Sequence, residues 1–263
     1  MFKNHTKRYK YFEEQIYTTQ NYVIPFIKDY VELDQNTEIL EVGCGEGGNM
    51  KPFLDLGCKL TGVDLSAGKI ENAKHFFQNH NNSKNLEFIH NDIYNLQVEL
   101  KNKFDFIFLR DVLEHIHNQE RFIKFIKTLL KPDGKLFLGF PPWQNPFGGH
   151  QQMCENKFLS LMPFIHILPN PIYVGLMKLF GESETKINML LEIKETRISI
   201  ERFLRIIKSE DLSVAKKLLF FINPNYEIKF KLKPRKQLNF LTSIPYLRNF
   251  LITTCYFLIE KND

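Results

Sequence analysis

Four glycines crowd into Glu38–Met50, "EILEVGCGEGGNM", directly after an apolar run that holds an acid. Glycine takes positive φ freely and lets the backbone pass close to a ligand. A helix that follows such a loop presents unpaired N–H groups at its start. Gly43, Gly45 and Gly48 satisfy the G-x-G-x-x-G spacing of dinucleotide-binding loops, and Asp64 ends the next apolar run. A carboxylate at that point accepts hydrogen bonds from ribose hydroxyls. Any tight strand-to-helix turn also wants glycines, and Gly47 and Gly48 equally suit close packing against a helix. Two more acids divide the readings. Glu41 lies two residues before Gly43, still on the apolar run. There it repels a pyrophosphate and suits a ligand with a positive centre, such as an amino-acid moiety. Asp92, in "HNDI", ends a third apolar run. It can accept from an adenine amino group while Ile93 covers the ring, or it can cap a turn.

A second set of residues follows the fourth and fifth apolar runs. "RDVLEHIHN" puts Asp111, Glu114 and His115 on one short turn, with His117 close by. The D-x-x-E-H pattern can bind a divalent metal, or its Glu and His can organise the loop. "PFGGHQQ" sets His150 behind Gly148 and Gly149, which allow the chain to bend back. Neutral imidazole at pH 7 is a competent base. His150 and Gln151 can instead bond the loop's own backbone. Trp143 and Phe147 suit an acceptor wall or a loop anchor.

The elements that must hold these residues alternate between periods. Residues 11–32 read as helix, with Pro25 as a break. "TEILEV", "KLTGVDL", "LEFIHND", "FDFIFLRD" and "KLFLGF" read as five buried strands. Between them lie helices over "NMKPFLDLG", "AGKIENAKHFFQN" after a Ser66 cap, and "NQERFIKFIKTLLKPDG" with Gly134 in its exit turn. Near-continuous apolar strands alternating with helices predict a parallel sheet covered on both faces. Asp105 starts the fourth strand away from the site and reads as structural. Residues 158–180 are strongly apolar, but Pro163, Pro169, Pro171, His166 and Asn170 interrupt them. A cap of short helices fits them better than a membrane span. "SIERFLRIIKSE" is helical behind Ser199, and "VAKKLLFFI" and "LRNFLITTCYFLIEK" read as two late strands.

The composition fits a globular chain of 263 residues, 43% apolar, long enough for a sizeable core. A net charge of +5, from 35 basic and 30 acidic residues, is too mild to imply nucleic acid. The densest basic patch, "KFKLKPRK" (229–236), reads as a solvated face. Cys44, Cys58, Cys154 and Cys255 lie far apart, as suits reduced thiols in the cytoplasm. "MFKNHTKRYKYFEEQ" has no apolar core of the kind a secretory signal carries.

Taken in order, "LEVGCGEGG", "GVDLS", "HNDI", "FDFIFLRDVLEHI" and "LKPDGKLFLGFP" resemble the class I S-adenosylmethionine-dependent methyltransferases, of the small-molecule type with a methyltransferase 11/12-like core. The resemblance covers residues 36–141. It implies an α/β, Rossmann-like fold with a mostly parallel seven-stranded sheet. It also implies S-adenosylmethionine as cofactor, with the methionine part held at Glu41, Gly43, Cys44 and Gly45. The ribose would then lie at Asp64, with Leu65 also at the cofactor site, and the adenine at Asp92 and Ile93. Arg110, ending the fourth strand, would line the pocket. His150 and His115 are the candidate catalytic residues. No metal is assigned. The expected organisation is one domain: an N-terminal helical segment (1–35), the cofactor core (36–141), an apolar cap (142–197) and a C-terminal helix with strands (198–263). The apolar, aromatic cap favours a hydrophobic or lipid-like small acceptor over nucleic acid, with peripheral membrane contact through 158–180. The sequence sets no oligomeric state. A nicotinamide oxidoreductase and a non-catalytic cofactor-binding subunit stand as alternatives.

Overall fold

A computed structural model describes residues 2–262. Its centre is a sheet of β1 (Glu38–Val42), β2 (Lys59–Asp64), β3 (Leu86–His90), β4 (Phe104–Arg110), β5 (Leu130–Phe140), β6 (Leu212–Ile222), β7 (Arg235–Lys236) and β8 (Thr254–Lys261). The order is β3-β2-β1-β4-β5-β8-β6-β7. β1 to β5 are mutually parallel, and β8 lies antiparallel between β5 and β6. The seven expected strands are thus joined by a two-residue edge strand, β7. Two antiparallel pairings in succession make β6 run with β5. The carboxyl ends of β1 to β6 therefore share one edge.

Strand residues alternate between faces. Ile39, Phe106, Phe108 and Phe137 meet Phe26, Phe53 and the N-terminal helix on one face. Leu40, Ile107, Leu109 and Leu138 meet the helices Gln119–Lys127 and Ile200–Ser209 on the other. Buried on both sides, these strands have no polar alternation to show.

Three boundaries differ from expectation. The N-terminal helix Phe2–Thr18 does not break at Pro25 but runs through a π turn, Thr19–Val23, into Ile24–Ile27. Pro25 has no N–H to donate, and the wider turn keeps the helix continuous around it. The helix after β4 stops at Lys127, and "LKPDG" belongs to β5. The strand shifts register against Phe104 and Phe106, and a Cβ on Gly134 would stand 2.9 Å from the Phe104 carbonyl. Leu247–Leu251 is a 3-10 turn rather than the start of β8. Buried Asn249 holds it there, accepting from the Ile200 N–H at 2.9 Å.

After β5 the chain forms short helices at Lys157–Leu161, Asn170–Leu179 and Glu184–Thr196. They enclose their own cluster, including Leu159, Tyr173, Met177 and Leu190. No helix among the described residues is long and apolar enough to cross a membrane.

The N-terminal helix presses directly on the glycine loop. A Cβ on Gly48 would lie 2.6 Å from the Phe12 carbonyl oxygen and 2.8 Å from the Gln15 Cβ. Gly48→Ala should therefore lower stability by about 1–3 kcal/mol, read as a shift in the denaturant midpoint. An unshifted midpoint would show that the helix does not clamp the loop.

Candidate functional site

The glycine loop leaves β1 with Gly43, Gly45 and Gly47 at φ +73°, +57° and +79°. At Gly43 the need is twofold, because a Cβ would also strike Val112 at 2.8 Å. Gly47 is closed in by Phe77 and Phe88, so with Gly48 it serves packing. Gly45 differs. A Cβ there would meet only the Lys69 side chain, at 4.0 Å, so its open face is free for a ligand. The Cys44 side chain is fully buried, and burial pushes its thiol up. Only the backbone of Cys44 faces the loop's outside.

Asp64 ends β2 beside that opening. Its Oδ2 accepts from the Gly45 N–H at 2.9 Å and its Oδ1 from the Ser66 N–H at 2.8 Å. Ser66 holds the cap position but its own side chain caps nothing. Leu65, next along, is 72% exposed, an apolar surface suited to cover a flat ring. After β3, exposed Asp92 accepts from the Tyr94 N–H at 3.0 Å through Oδ1 and so caps the turn Ile93–Leu96. Ile93 packs into the core cluster behind it.

On the N-terminal-helix face, Glu41 of β1 and Arg110 of β4 are both buried. Asn49 joins them. Its Nδ2 donates to Glu41 Oε1 at 2.7 Å, and its Oδ1 accepts from Arg110 Nη1 at 2.8 Å. Arg110 also donates to Asn225 Oδ1, on the chain leaving β6. Glu41 Oε2 has no partner among the described residues. Desolvation is the main cause that raises the Glu41 carboxyl from 4.5 to about 8, against the Asn49 hydrogen bond and the Arg110 charge. Arg110 therefore reaches the site through Asn49 and Asn225 rather than as an open pocket wall.

The sequence reading did not single out Asn49, Asn225 or Tyr11. Tyr11, on the N-terminal helix, has its phenol pushed up to about 12, first by desolvation and then by the Asp111 charge. Thr18 and Thr19 of the same segment reach Asn225 and Asn49. Asn49 alone carried a visible signal, as the polar residue ending "GEGGN".

The loops after β4 and β5 meet on the same edge. Glu114, His115 and His150 bring one ligand atom each to within 4.8 Å of one another. The His115 and His150 rings lie 5.3 Å apart. His150 takes a left-handed backbone, φ +57°. The glycines before it are obligatory, since a Cβ on Gly148 would sit 2.0 Å from the Trp143 oxygen and one on Gly149 2.2 Å from the His166 Cβ. Glu114 is buried, and neither carboxylate oxygen finds a partner from another of the described residues. Desolvation, then the Asp111 charge, raises its pKa well above the ordinary value. Desolvation pulls His115 down to about 4, and it also lowers His150. Asp111, 3.6 Å from Arg110 Nε, acts on all three groups through its charge, while His117 turns away to Glu195 at 4.0 Å. Gln151 and Trp143 take the structural role. Gln151 Nε2 donates to the Pro146 and Met162 carbonyls, and Trp143 packs on His166 and Arg197. Asp105 is structural too, accepting from the Glu38 N–H and pairing with Lys131.

A cavity of about 510 Å³ opens at the opposite, amino edge of the sheet, near Thr37, Asp105 and Lys135. Ligands of open α/β sheets bind at the carboxyl edge, where the candidate residues gather.

A family model described as a methyltransferase domain matches residues 40–138. Those residues, under half of the chain, are similar to a methyltransferase domain. S-adenosylmethionine is the methyl donor of that family. The domain is 32% identical over 112 residues to a sterol 4-C-methyltransferase of Caenorhabditis elegans, covering 43% of this chain and 33% of that protein. It is 33% identical over 114 residues to the ubiquinone biosynthesis O-methyltransferase of Coxiella burnetii, covering 43% and 47%. The matches thus span a third to a half of these relatives. Among solved structures, the geranyl diphosphate C-methyltransferase of Streptomyces coelicolor superposes with a TM-score of 0.56 at 13% identity, over 91% of this chain and 80% of that one. The Haemonchus contortus phosphoethanolamine N-methyltransferase 2 gives 0.56 at 16%, over 92% and 53%. These structures share the domain's fold. The antiparallel β8 sets it apart from the 3-2-1-4-5-6 sheet of dinucleotide-binding enzymes.

The raised Glu41 carboxyl has a pH signature. The folded state binds its proton more tightly than the unfolded chain, so the stability this group supplies is full below about pH 4.5 and is lost as pH rises through about 8. Glu41→Gln removes that loss. Its melting temperature relative to the parent should be higher at pH 9 than at pH 6, and a pH-independent difference would mean Glu41 is not held neutral.

Proposed function

We propose that this protein transfers the methyl group of S-adenosylmethionine to a small, apolar acceptor, leaving S-adenosylhomocysteine. The observation that carries the reading is the pairing of open, left-handed Gly45 with Asp64 and the unpartnered Oε2 of Glu41, inside the matched domain. Glu41 faces the ligand's amino-acid ammonium. Asp64 accepts from the ribose, Leu65 and Ile93 flank the adenine, and Asp92 Oδ2 accepts from its amino group. The relatives named for sterol and ubiquinone-biosynthesis substrates, together with the apolar cap, support a hydrophobic acceptor.

The sulfonium carbon is already electrophilic, so the protein must align the acceptor in line with the carbon–sulfur bond and exclude water. A hydroxyl acceptor must also lose its proton. His150, held neutral by burial, stands on the loop that the cap packs against and takes that proton, with His115 beside it. One observation favours a second role for the same cluster. The two unpartnered oxygens of Glu114 would be satisfied by a divalent cation shared with His115 and His150, which would hold an acceptor oxygen in its ionised form.

Calorimetry with S-adenosylhomocysteine and NADH tests the cofactor. Only the former should bind, and Asp64→Ala should weaken it by about 1–3 kcal/mol. NADH preference would overturn the reading. With an apolar phenol as acceptor, His150→Ala should reduce kcat at least tenfold and leave cofactor affinity alone. If Mg²⁺ or Mn²⁺ raises kcat in the parent but not in Glu114→Gln, the cation role holds. Full turnover in the presence of a chelator leaves His150 as the base.

A further inference from the structure

From Ile228 to Ile259 the chain holds no acidic residue, while Lys229, Lys231, Lys233, Arg235, Lys236 and Arg248 all fall within it. Most of that stretch is the connection between β6 and β8. It carries the helix Asn225–Phe230, the edge strand β7 and a short turn of helix at Asn239–Thr242. Lys229 pairs with Glu14, and Arg248 with Glu201. Lys231, Lys233, Arg235 and Lys236 are exposed and meet no carboxylate among the described residues. Four cations thus stand within six residues without a counter-charge.

Large apolar side chains are interleaved with them. Phe230 is 61% exposed, Leu238 60%, Phe240 65% and Tyr246 69%, with Leu232 and Leu247 also open. Singly exposed apolar residues are ordinary on a protein surface, but a run of them on one connection is not. The 158–180 segment also leaves Phe158, Leu161, Ile172 and Leu179 exposed, but it carries no run of unpaired cations, since its Lys178 pairs with Glu184. Its Leu159, Ile165, Tyr173 and Met177 are consumed in the cap's own core.

The connection also has a significant position. It leaves β6 at the carboxyl edge of the sheet, and its Asn225 accepts from Arg110. Its far end touches the cap, with the Phe250 ring 6.3 Å from that of Phe164. The basic, apolar surface therefore flanks the mouth of the candidate site between the N-terminal helix and the cap.

We propose that residues 229–250 dock this protein on an anionic lipid bilayer. The unpaired cations match an anionic headgroup layer, where each basic side chain near the surface adds attraction. The exposed Leu and Phe side chains match the boundary between headgroups and acyl chains. A nucleic acid would satisfy the cations but gives aliphatic Leu232, Leu238 and Leu247 nothing to bury against. Docked this way, the site mouth faces the membrane, and an acceptor dissolved in the lipid reaches it without crossing water.

Flotation with vesicles tests the proposal independently of methyl transfer. The full chain is mixed with vesicles of phosphatidylcholine, or of phosphatidylcholine with phosphatidylglycerol. Binding should require phosphatidylglycerol and fall with salt. Lys231→Glu/Lys233→Glu/Arg235→Glu should weaken it by more than about tenfold. Phe240→Ser/Tyr246→Ser should weaken it with the basic residues intact. S-adenosylhomocysteine affinity, unchanged in both variants, shows that they are folded. Any of three results overturns the proposal: no vesicle binding; RNA binding that the charge variant loses and the aromatic variant keeps, without preference for vesicles; or a dimer that Phe240→Ser/Tyr246→Ser splits while vesicles do not bind.

Discussion

An acid and a guanidinium buried on the same face of one sheet constrain much of the rest. Glu41 and Arg110 sit at the carboxyl ends of β1 and β4, on the face the N-terminal helix covers. A bare guanidinium in that place would cost several kcal/mol, and such groups are tolerated there only when hydrogen bonds fill their remaining valences. Asn49 does this between them, and Asn225 does it on the far side of the guanidinium. The consequence is architectural. The glycine loop must return Asn49 beneath the N-terminal helix, and the chain after β6 must come back across the sheet edge to supply Asn225. Three segments remote in sequence are thereby pinned around one acid whose second oxygen is left for something else.

Much of the fold was legible because the central strands are apolar on both faces and bounded by turn residues. The glycines at 43, 45 and 47 likewise announced a backbone that only glycine adopts readily. The boundaries that misled did so for identifiable reasons. "TLLKPDG" continues a helical pattern, yet a bulge against the Phe104 carbonyl decides for strand, and that contact is not local. "LRNFL" has strand composition, but the Asn249 side chain ties this turn to the start of the distant helix Ile200–Ser209. In the site, acids at strand ends stood out because few reasons exist to put an acid there. Asn225 and Tyr11 could not be read, since each matters only through a neighbour far along the chain.

The two halves of the site differ in electrical character. The Asp64 side offers hydrogen-bond acceptors, Asp64 buried and Asp92 exposed. On the other side Glu114 is buried, His150 half-buried and His115 exposed, and all three groups shift toward their uncharged forms. Such a set presents little fixed charge to an apolar acceptor but can take up a proton or a cation when one is offered. The cap holds this half in place from outside. The Thr196 hydroxyl, at the end of the cap's last helix, donates to the Glu114 carbonyl, and the Trp143 N–H donates to the Ile198 carbonyl.

The position of β8 also bears on how the chain reaches this state. β6 pairs with β7 and β8, and β8 alone links it to β5. During synthesis β6 leaves the ribosome ahead of β8, so an eleven-residue strand has no place in the sheet until some thirty further residues have followed. Lys216 and Lys217 fall in its middle, and charges on an unpaired strand edge are the usual guard against edge-to-edge pairing over such an interval.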